Sequence, residues 1–580
     1  MIGTGFKTRV AGPVREQPHR VLGQRHLSRV WPCAPGGAPR SRPPARGFET
    51  SSRFALLLIL FTIWACATAP ARESPGKRSP LVVVLVVDQM RALYLDEYGH
   101  RFTSGLKRLR DEGAWFRRAA YPYLNTVTCA GHSTIGTGAL PYRHGMVLNA
   151  WWDRDAARSN ACTSDRSVSN VGYMGTPSGG DSADALLVAP LAQQLRERTG
   201  GRSVALSLKA RSAIPMAGKN PTAVLWFDDR AGWTTSTAFT EKPVGWIQEF
   251  ITKHPVEAFR GKAWERLLPA ATYSGGDDGA GERTPSGWTR TFPHRLGDPA
   301  GSFFLHFQRS PFADEYLGRL AAHAIDTLDL GRGTGTDFIS VSFSTLDLVG
   351  HQYGPASHEV QDVLLRLDRT IGILLDHLDA RLGRDGYVLA LSADHGVAPV
   401  PEQSGASRQP AAEIIAAING ALAPFFGPGK YVMHTAYTDI YLAPGIFDRV
   451  KASPLASAAV LDALRALPGI EHAFRSDEIS NPETRSSEDP VKRAAALSYY
   501  APRSGDLIVV PAENWILSTA ATTHGTLHPY DQGVPVIFFG ARVTAGVRDD
   551  PATPADIAPT LAALVGATFT QTDGVPLLKP

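Results

Sequence analysis

The sequence predicts an α/β fold, a doubly wound and mostly parallel sheet with insertions forming a cap. Three observations carry that expectation. Short runs that are apolar on both parities recur along the chain, as strands covered on both faces do. Helical patterns separate them. Several of the runs end directly in Asp, His or Lys, and in an open parallel sheet the ligand site lies outside the carboxyl ends of the strands.

The runs read as buried parallel strands are Leu81–Val87 ("LVVVLVV"), Ser203–Leu208, Phe338–Phe343 ("FISVSF"), Tyr387–Leu391 ("YVLAL") and Val534–Phe539 ("VPVIFF"). Each is short and rich in β-branched or aromatic residues. Between the third and fourth lies "EVQDVLLRLDRTIGILLDHLDARLG", which puts Val360, Val363, Leu364, Leu367, Ile371, Leu374, Leu375 and Leu378 on one stripe of a helix. "PADIAPTLAALVG" predicts a short C-terminal helix stopped by Gly566. Two stretches lack a sustained period. Residues near 220–335 are rich in Gly, Pro, Trp and charge ("YSGGDDGAGERTPSGW"), and those near 400–515 are mixed. Both read as insertions on the core sheet.

Charge is unevenly placed. Residues 1–53 hold ten Lys/Arg against two Asp/Glu, so the net +4 of the whole chain leaves −4 for everything from Arg72 on. A body with that balance lacks the basic face that nucleic-acid binding needs, and no nucleic-acid partner is expected. The first 53 residues read as a basic, disordered leader. Residues 54–71, "FALLLILFTIWACATAPA", read as a signal-peptide h-region and cleavage region, too short to span a bilayer comfortably. The expected location is therefore periplasmic or secreted, with a lipoprotein anchored at Cys66 or an uncleaved signal as the alternatives. Residues 72–580 read as one catalytic domain, expected to be a monomer. Cys33 and Cys66 lie in the leader. Cys129 and Cys162 remain in the body, and an even pair in an oxidising compartment suggests a disulfide.

The chemistry gathers at the strand ends. Leu81–Val87 leads to Asp88, and Ser203–Leu208 to Lys209 and Arg211. Phe338–Phe343 leads to "STLDLVGH", with Asp347 and His351 four apart, and Tyr387–Leu391 to "SADHG", with Asp394 and His395. A further His, at 524 or 528, lies in "TTHGTLHPYDQG" just before the last strand. A mixed Asp/His set suits zinc, and six such groups suit two ions with three protein ligands each. Two ions about 4 Å apart can clamp the attacking and leaving oxygens of a phosphoryl displacement. Each element alone has a blander reading: Asp88 as a helix cap, Lys209 and Arg211 as a solvated helix start.

The run "NTVTCAGHSTIGTGALPYRHGMVLN", Asn125–Asn149, is too rich in Gly and Thr for a good helix. A two-ion site needs an oxygen nucleophile, and Thr126, Thr128 and Ser133 are the candidates here. A disulfide-bonded Cys129 cannot attack.

"TVTCAGHSTIGTGALPYRHGMVLN" resembles the nucleophile segment of the alkaline phosphatase superfamily, in its nucleotide pyrophosphatase/phosphodiesterase branch and closest to the PafA-type alkaline phosphatases. The resemblance runs from about residue 80 to 575, through "DIAPTLAALVG" and "DGVPLL". It implies that Thr128, four residues before the first His, is the nucleophile, and that Asn149 contacts the phosphoryl oxygens. It implies two Zn²⁺, one held by Asp347, His351 and His524 and the other by Asp88, Asp394 and His395 with Thr128. His524 is preferred to His528 because it sits in "THG". The pair Lys209 and Arg211 in "LKARSAI" matches the Lys-x-Arg that binds phosphoryl oxygens in the PafA-type enzymes. Two such cations favour a monoester dianion over a diester. His132, His144 and His528 are left as structural or as supports behind the ligands, and Asp153 and Asp155 as turn residues. "CAGHS" lacks the Pro and Arg of a sulfatase signature.

The reading is an exported dizinc phosphate monoesterase acting on small phosphate esters through a phosphothreonine. The alternatives are a phosphodiesterase or nucleotide pyrophosphatase of the same fold and a non-catalytic zinc-dependent binding protein.

Overall fold

Continuous apolar runs become the centre of a ten-stranded sheet because both faces of these strands are covered. The computed structural model describes residues 79–297 and 301–579, so the expected leader, the h-region and Cys66 lie outside the described residues. Pro75–Pro580 forms one compact unit. Its main strands, in chain order, are β1 Leu81–Val87, β2 Ala114–Ala119, β3 Ala150–Asp153, β4 Arg158–Ala161, β5 Asn170–Gly172, β6 Ser203–Ser207, β7 Ala223–Asp228, β8 Gly232–Ser236, β9 Phe338–Phe343, β10 Tyr387–Ser392, β11 Val432–Ala436, β12 Asp439–Leu442, β13 Ile470–Arg475, β14 Leu507–Pro511, β15 Val536–Gly540 and β16 Gly546–Ala552.

The large sheet runs β16-β2-β15-β10-β1-β9-β6-β7-β8-β5. Its middle is parallel: β1 pairs with β9 and β10, β9 with β6, and β6 with β7. All residues of β1, β6, β9 and β10 are buried. The carboxyl ends of these strands therefore share one edge, as expected. One expectation fails. The sequence predicts Val534–Phe539 as a parallel strand; β15 is antiparallel to both β10 and β2. Its apolar pattern encodes burial on both faces and is silent about direction.

The helix His358–Leu382 carries the predicted stripe and starts at Ser357, whose side chain accepts from Val360 N. The helix Ile557–Val565 ends at Gly566, which sits in the left-handed conformation (φ 73°) that glycine tolerates best.

The stretch 220–335 is less separate than its composition suggests. Its first part supplies β7 and β8 to the large sheet, and the helix Pro311–Thr327 packs on His358–Leu382. Within 400–515, β11, β12, β14 and β13 form a four-stranded sheet. Helices Ala411–Phe426 and Pro454–Arg465 cover it, over a core that includes Ile418, Val460, Leu464 and Val509. Among the described residues no helix is long and apolar enough to cross a membrane.

Candidate active site

Asp88, Asp347 and Asp394 converge at the carboxyl edge of β1, β9 and β10, and each is at most 1% exposed. Lys209, at the start of the helix after β6, reaches between them. Its Nζ donates to Asp88 Oδ2 at 2.6 Å and also to Asp347 Oδ2. At 5% exposure it is no solvated helix start.

Asp347 and His351 lie one turn apart on the helix Thr345–Tyr353, with His351 Nε2 3.2 Å from Asp347 Oδ1. His524 Nε2 is 3.6 Å from the same oxygen. Asp394 and His395, though adjacent in sequence, converge: His395 Nε2 lies 3.3 Å from Asp394 Oδ2 and 3.6 Å from Asp88 Oδ1. His528 instead aims its Nε2 at the carbonyl of Pro511, so His524 is the one that enters the cluster. It does so because β15 is antiparallel. The loop before an antiparallel strand opens onto the edge where the parallel strands end.

Two triads have ligand atoms within 4.8 Å of one another: Asp347, His351, His524, and Asp88, Asp347, His395. The first is the expected set. In the second Asp347 stands where Asp394 was expected, although Asp394 Oδ2 is buried without a hydrogen-bond donor and lies 3.3 Å from His395 Nε2. Gln89 N donates to Asp394 Oδ1 at 3.1 Å, and His132 Nδ1 lies 3.1 Å from Asp394 Oδ2.

The donor set fits divalent cations. In His351, His395 and His524 the Nδ1 faces a backbone carbonyl, of Thr522, Gly396 and Thr126, at 2.9–3.0 Å. A carbonyl only accepts, so Nδ1 carries the proton and Nε2 is left as a lone-pair donor. Asp88 Oδ1 is buried without a hydrogen-bond donor. Three buried carboxylates against one ammonium leave an excess of negative charge that burial makes costly.

Burial drives Asp88 well above the ordinary carboxylate range, and the charge of Asp394 adds to the push. At Asp347 burial acts the same way, but His351 and Lys209 outweigh it and hold the group well below that range. Burial holds His524 well below the usual imidazole value, and His395 below it, which favours the neutral, metal-binding form.

The segment expected to be too rich in Gly and Thr for a helix is one: Thr128–Thr137, with every residue buried. Tertiary packing overrides propensity. A Cβ on Gly131 would sit 2.1 Å from the backbone oxygen of Asp394, so this glycine lets the helix lie directly on the loop that carries Asp394 and His395.

Of the three candidate hydroxyls, Thr126 donates to Thr526 O and Ser133 to Cys129 O. Thr128 Oγ1, at the helix N-terminus, faces His395 Nε2 at 3.4 Å. Cys129 is bonded to Cys162. Asn149 lines a cavity of about 300 Å³ with His351, His524, Leu148, His434 and Tyr437. Arg211 lines a second cavity, about 670 Å³, with Lys209, and makes no ion pair among the described residues. His144 binds Met146 N and Thr134 Oγ1, and Asp153 caps a turn through Asp155 N and Ala156 N, as a structural reading of both requires.

One residue was missed, and a second supports the ligands as one of its two readings allowed. Gln89, in the left-handed region at φ 70°, ties Asp394 through its N–H and Asp347 through Nε2 at 2.7 Å. His132 sets Nδ1 on the carbonyl of Thr128 (3.0 Å), 3.1 Å from Asp394 Oδ2, and Nε2 against Ser342 Oγ (2.7 Å). The only signals for them are adjacency to Asp88 and an i, i+4 spacing from Thr128.

A family model described as type I phosphodiesterase / nucleotide pyrophosphatase matches residues 82–531. The alkaline phosphatase PafA of Elizabethkingia meningoseptica is 32% identical over 85% of this chain and 92% of its own length. The alkaline phosphatase PhoV of Synechococcus elongatus is 31% identical over 88% and 96%. The crystal structure of wild-type PafA superposes with a TM-score of 0.78 at 30% identity, covering 86% of this chain and 98% of that one.

Proposed function

This chain belongs to the type I phosphodiesterase / nucleotide pyrophosphatase family, and we propose that within it the protein is a dizinc phosphate monoesterase, an alkaline phosphatase acting through a phosphothreonine. The observation that carries the reading is the convergence of Asp88, Asp347 and Asp394 on one sheet edge, with the Thr128 hydroxyl and Lys209 beside them. Similarity to alkaline phosphatases over most of both chains supports the monoester choice.

Asp347, His351 and His524 would hold one zinc, and Asp88, Asp394 and His395 the other, beside Thr128. The bound ions would supply the positive charge that eases ionisation of a hydroxyl and steadies a departing oxygen. Thr128 Oγ1 attacks phosphorus in line, the bond to the ester oxygen breaks, and the phosphoryl group rests on threonine until water releases it. The attacking oxygen sits at the N-terminus of a buried helix, where the backbone dipole favours an anionic phosphoryl group. Asn149, Lys209 and Arg211 hold the nonbridging oxygens, where charge must be met during transfer. The 400–515 segment shapes the rim through His434 and Tyr437. Export fits a body with a buried disulfide.

The test compares rates on 4-nitrophenyl phosphate and bis(4-nitrophenyl) phosphate, together with metal analysis of the purified protein. A preference for the monoester, lost on chelation and restored by zinc, is expected. A preference for the diester would select the phosphodiesterase reading, and bound metal without either activity would select the binding protein.

A further inference from the structure

Asn149 is held from two sides, and the two holders are bonded to each other. Its side-chain Oδ1 accepts from Cys129 N–H at 2.8 Å. Its backbone carbonyl accepts from Cys162 N–H at 3.0 Å. Cys129 and Cys162, 33 positions apart, form a disulfide that closes a loop with Asn149 inside it. Both cysteines are at most 1% exposed.

The orientation of the carboxamide follows from donor chemistry. A backbone N–H only donates, so the atom facing Cys129 is the oxygen, and the NH₂ end points the other way. That NH₂ makes no hydrogen bond among the described residues, and Asn149 lines the cavity shared with His351 and His524. A free donor is thus presented beside the candidate metal ligands.

The piece of chain that carries it is also held by Trp152, stacked on His434 with ring centroids 5.0 Å apart, and by Arg154, paired with Asp506 at 3.0 Å, but those two contacts reach the 400–515 segment and not the nucleophile helix. Asn149 immediately precedes β3, whose antiparallel partner β4 ends at Ala161, opposite Ala150. Seven of the eight residues in this two-stranded ribbon are half-buried or exposed, and Trp151 is its one buried member. The disulfide pins the open end of the ribbon to the residue next to Thr128.

We propose that the Cys129–Cys162 bridge is a positioning device for Asn149: it locks the ribbon onto the first turn of the nucleophile helix, so that the amide NH₂ stays aimed at the phosphoryl group attacked by Thr128. The inference rests on the phosphomonoesterase reading. Cys129 and Cys162 touch no substrate; they act through Asn149.

The test is a mutant cycle on the monoester. Removing one donor of this kind costs roughly 10²–10³-fold in kcat, so Asn149→Ala in the bridged protein should lose about that much. Cys129→Ala/Cys162→Ala should lose about 10–100-fold in kcat/KM while keeping its metal content and its circular dichroism. Asn149→Ala added to the bridge-free protein should then cost only about 10-fold, the part of its penalty that loss of the bridge has not already taken. A bridge with a merely structural role would lower the melting temperature and leave the full Asn149→Ala penalty in place.

If the double variant fails to fold, the folded wild-type protein is reduced with a phosphine in mild urea. Thiols are counted and activity is followed through reduction and reoxidation, with loss and recovery tracking the thiol count expected. Wild-type kcat/KM without the bridge, by either route, or an undiminished Asn149→Ala penalty in the bridge-free protein, overturns the proposal. If Thr128→Ala also keeps full activity, the failure belongs to the underlying reading instead.

Discussion

Gly131→Ala is a small change with a sign that only packing decides. Glycine in a helix interior is worse than alanine by about 1 kcal/mol, so propensity alone predicts a more stable protein. Yet the added Cβ would lie 2.1 Å from the carbonyl oxygen of Asp394, 2.6 Å from its Cβ and 2.7 Å from its carbonyl carbon. Ordinary contact between such atoms lies near 3.5 Å, so the helix and the Asp394 loop must part by about 1 Å. Two of the three obstructing atoms are backbone and have no rotamer to escape into. Overpacking of this kind costs about 1–3 kcal/mol, which equals or exceeds the helical gain.

The rate should suffer more than the stability. The helix carries Thr128 and the loop carries Asp394 and His395, so the separation opens between the nucleophile and the groups beside it. A misplacement of 1 Å costs about 10²-fold. The assay is kcat/KM on 4-nitrophenyl phosphate beside a thermal melt of the same preparation. A variant within threefold of wild type, with an unchanged or raised melting temperature, would refute the idea that Gly131 exists for this close approach.

Thr128→Ala should lower turnover by at least ~10³-fold while metal content stays unchanged; elemental analysis beside the rate measurement checks both. Lys209→Ala and Arg211→Ala should each cost roughly 10²-fold on the monoester and much less on bis(4-nitrophenyl) phosphate, so the ratio of the two rates is the readout. Asp439 offers a pH test away from the ligands. It is buried, accepting from Gly505 N and Asn125 Nδ2, and burial pushes its carboxyl up from 3.8 to about 6. The folded protein therefore binds this proton more tightly than the unfolded chain does. The stability it contributes is complete below about pH 4 and is lost as pH rises through 6. Asp439→Asn should remove about 3 kcal/mol of that decline, and an equal change in unfolding free energy between pH 4.5 and 8 in both proteins, measured by urea titration, would contradict it.

The amino-acid sequence alone determined the central strands and the chemistry at their ends. Leu81–Val87 and Phe338–Phe343 are legible because a strand buried on both faces needs an unbroken apolar run, and Asp88, Asp347 and Lys209 stand out because polar groups follow such runs abruptly. The stripe of His358–Leu382 is legible by its period. Tertiary structure decided the rest. The antiparallel direction of β15, which brings His524 to the site, is written in no local pattern. The helix at Thr128 forms against propensity because Gly131 and its neighbours are packed on the Asp394 loop. Gln89 and His132 gain their roles from carboxylates hundreds of residues away, and β7 and β8 join the sheet from a stretch whose composition resembles a loop. Local sequence records burial and periodicity, whereas strand direction and close approach are properties of pairs of segments and exist only once the chain has folded.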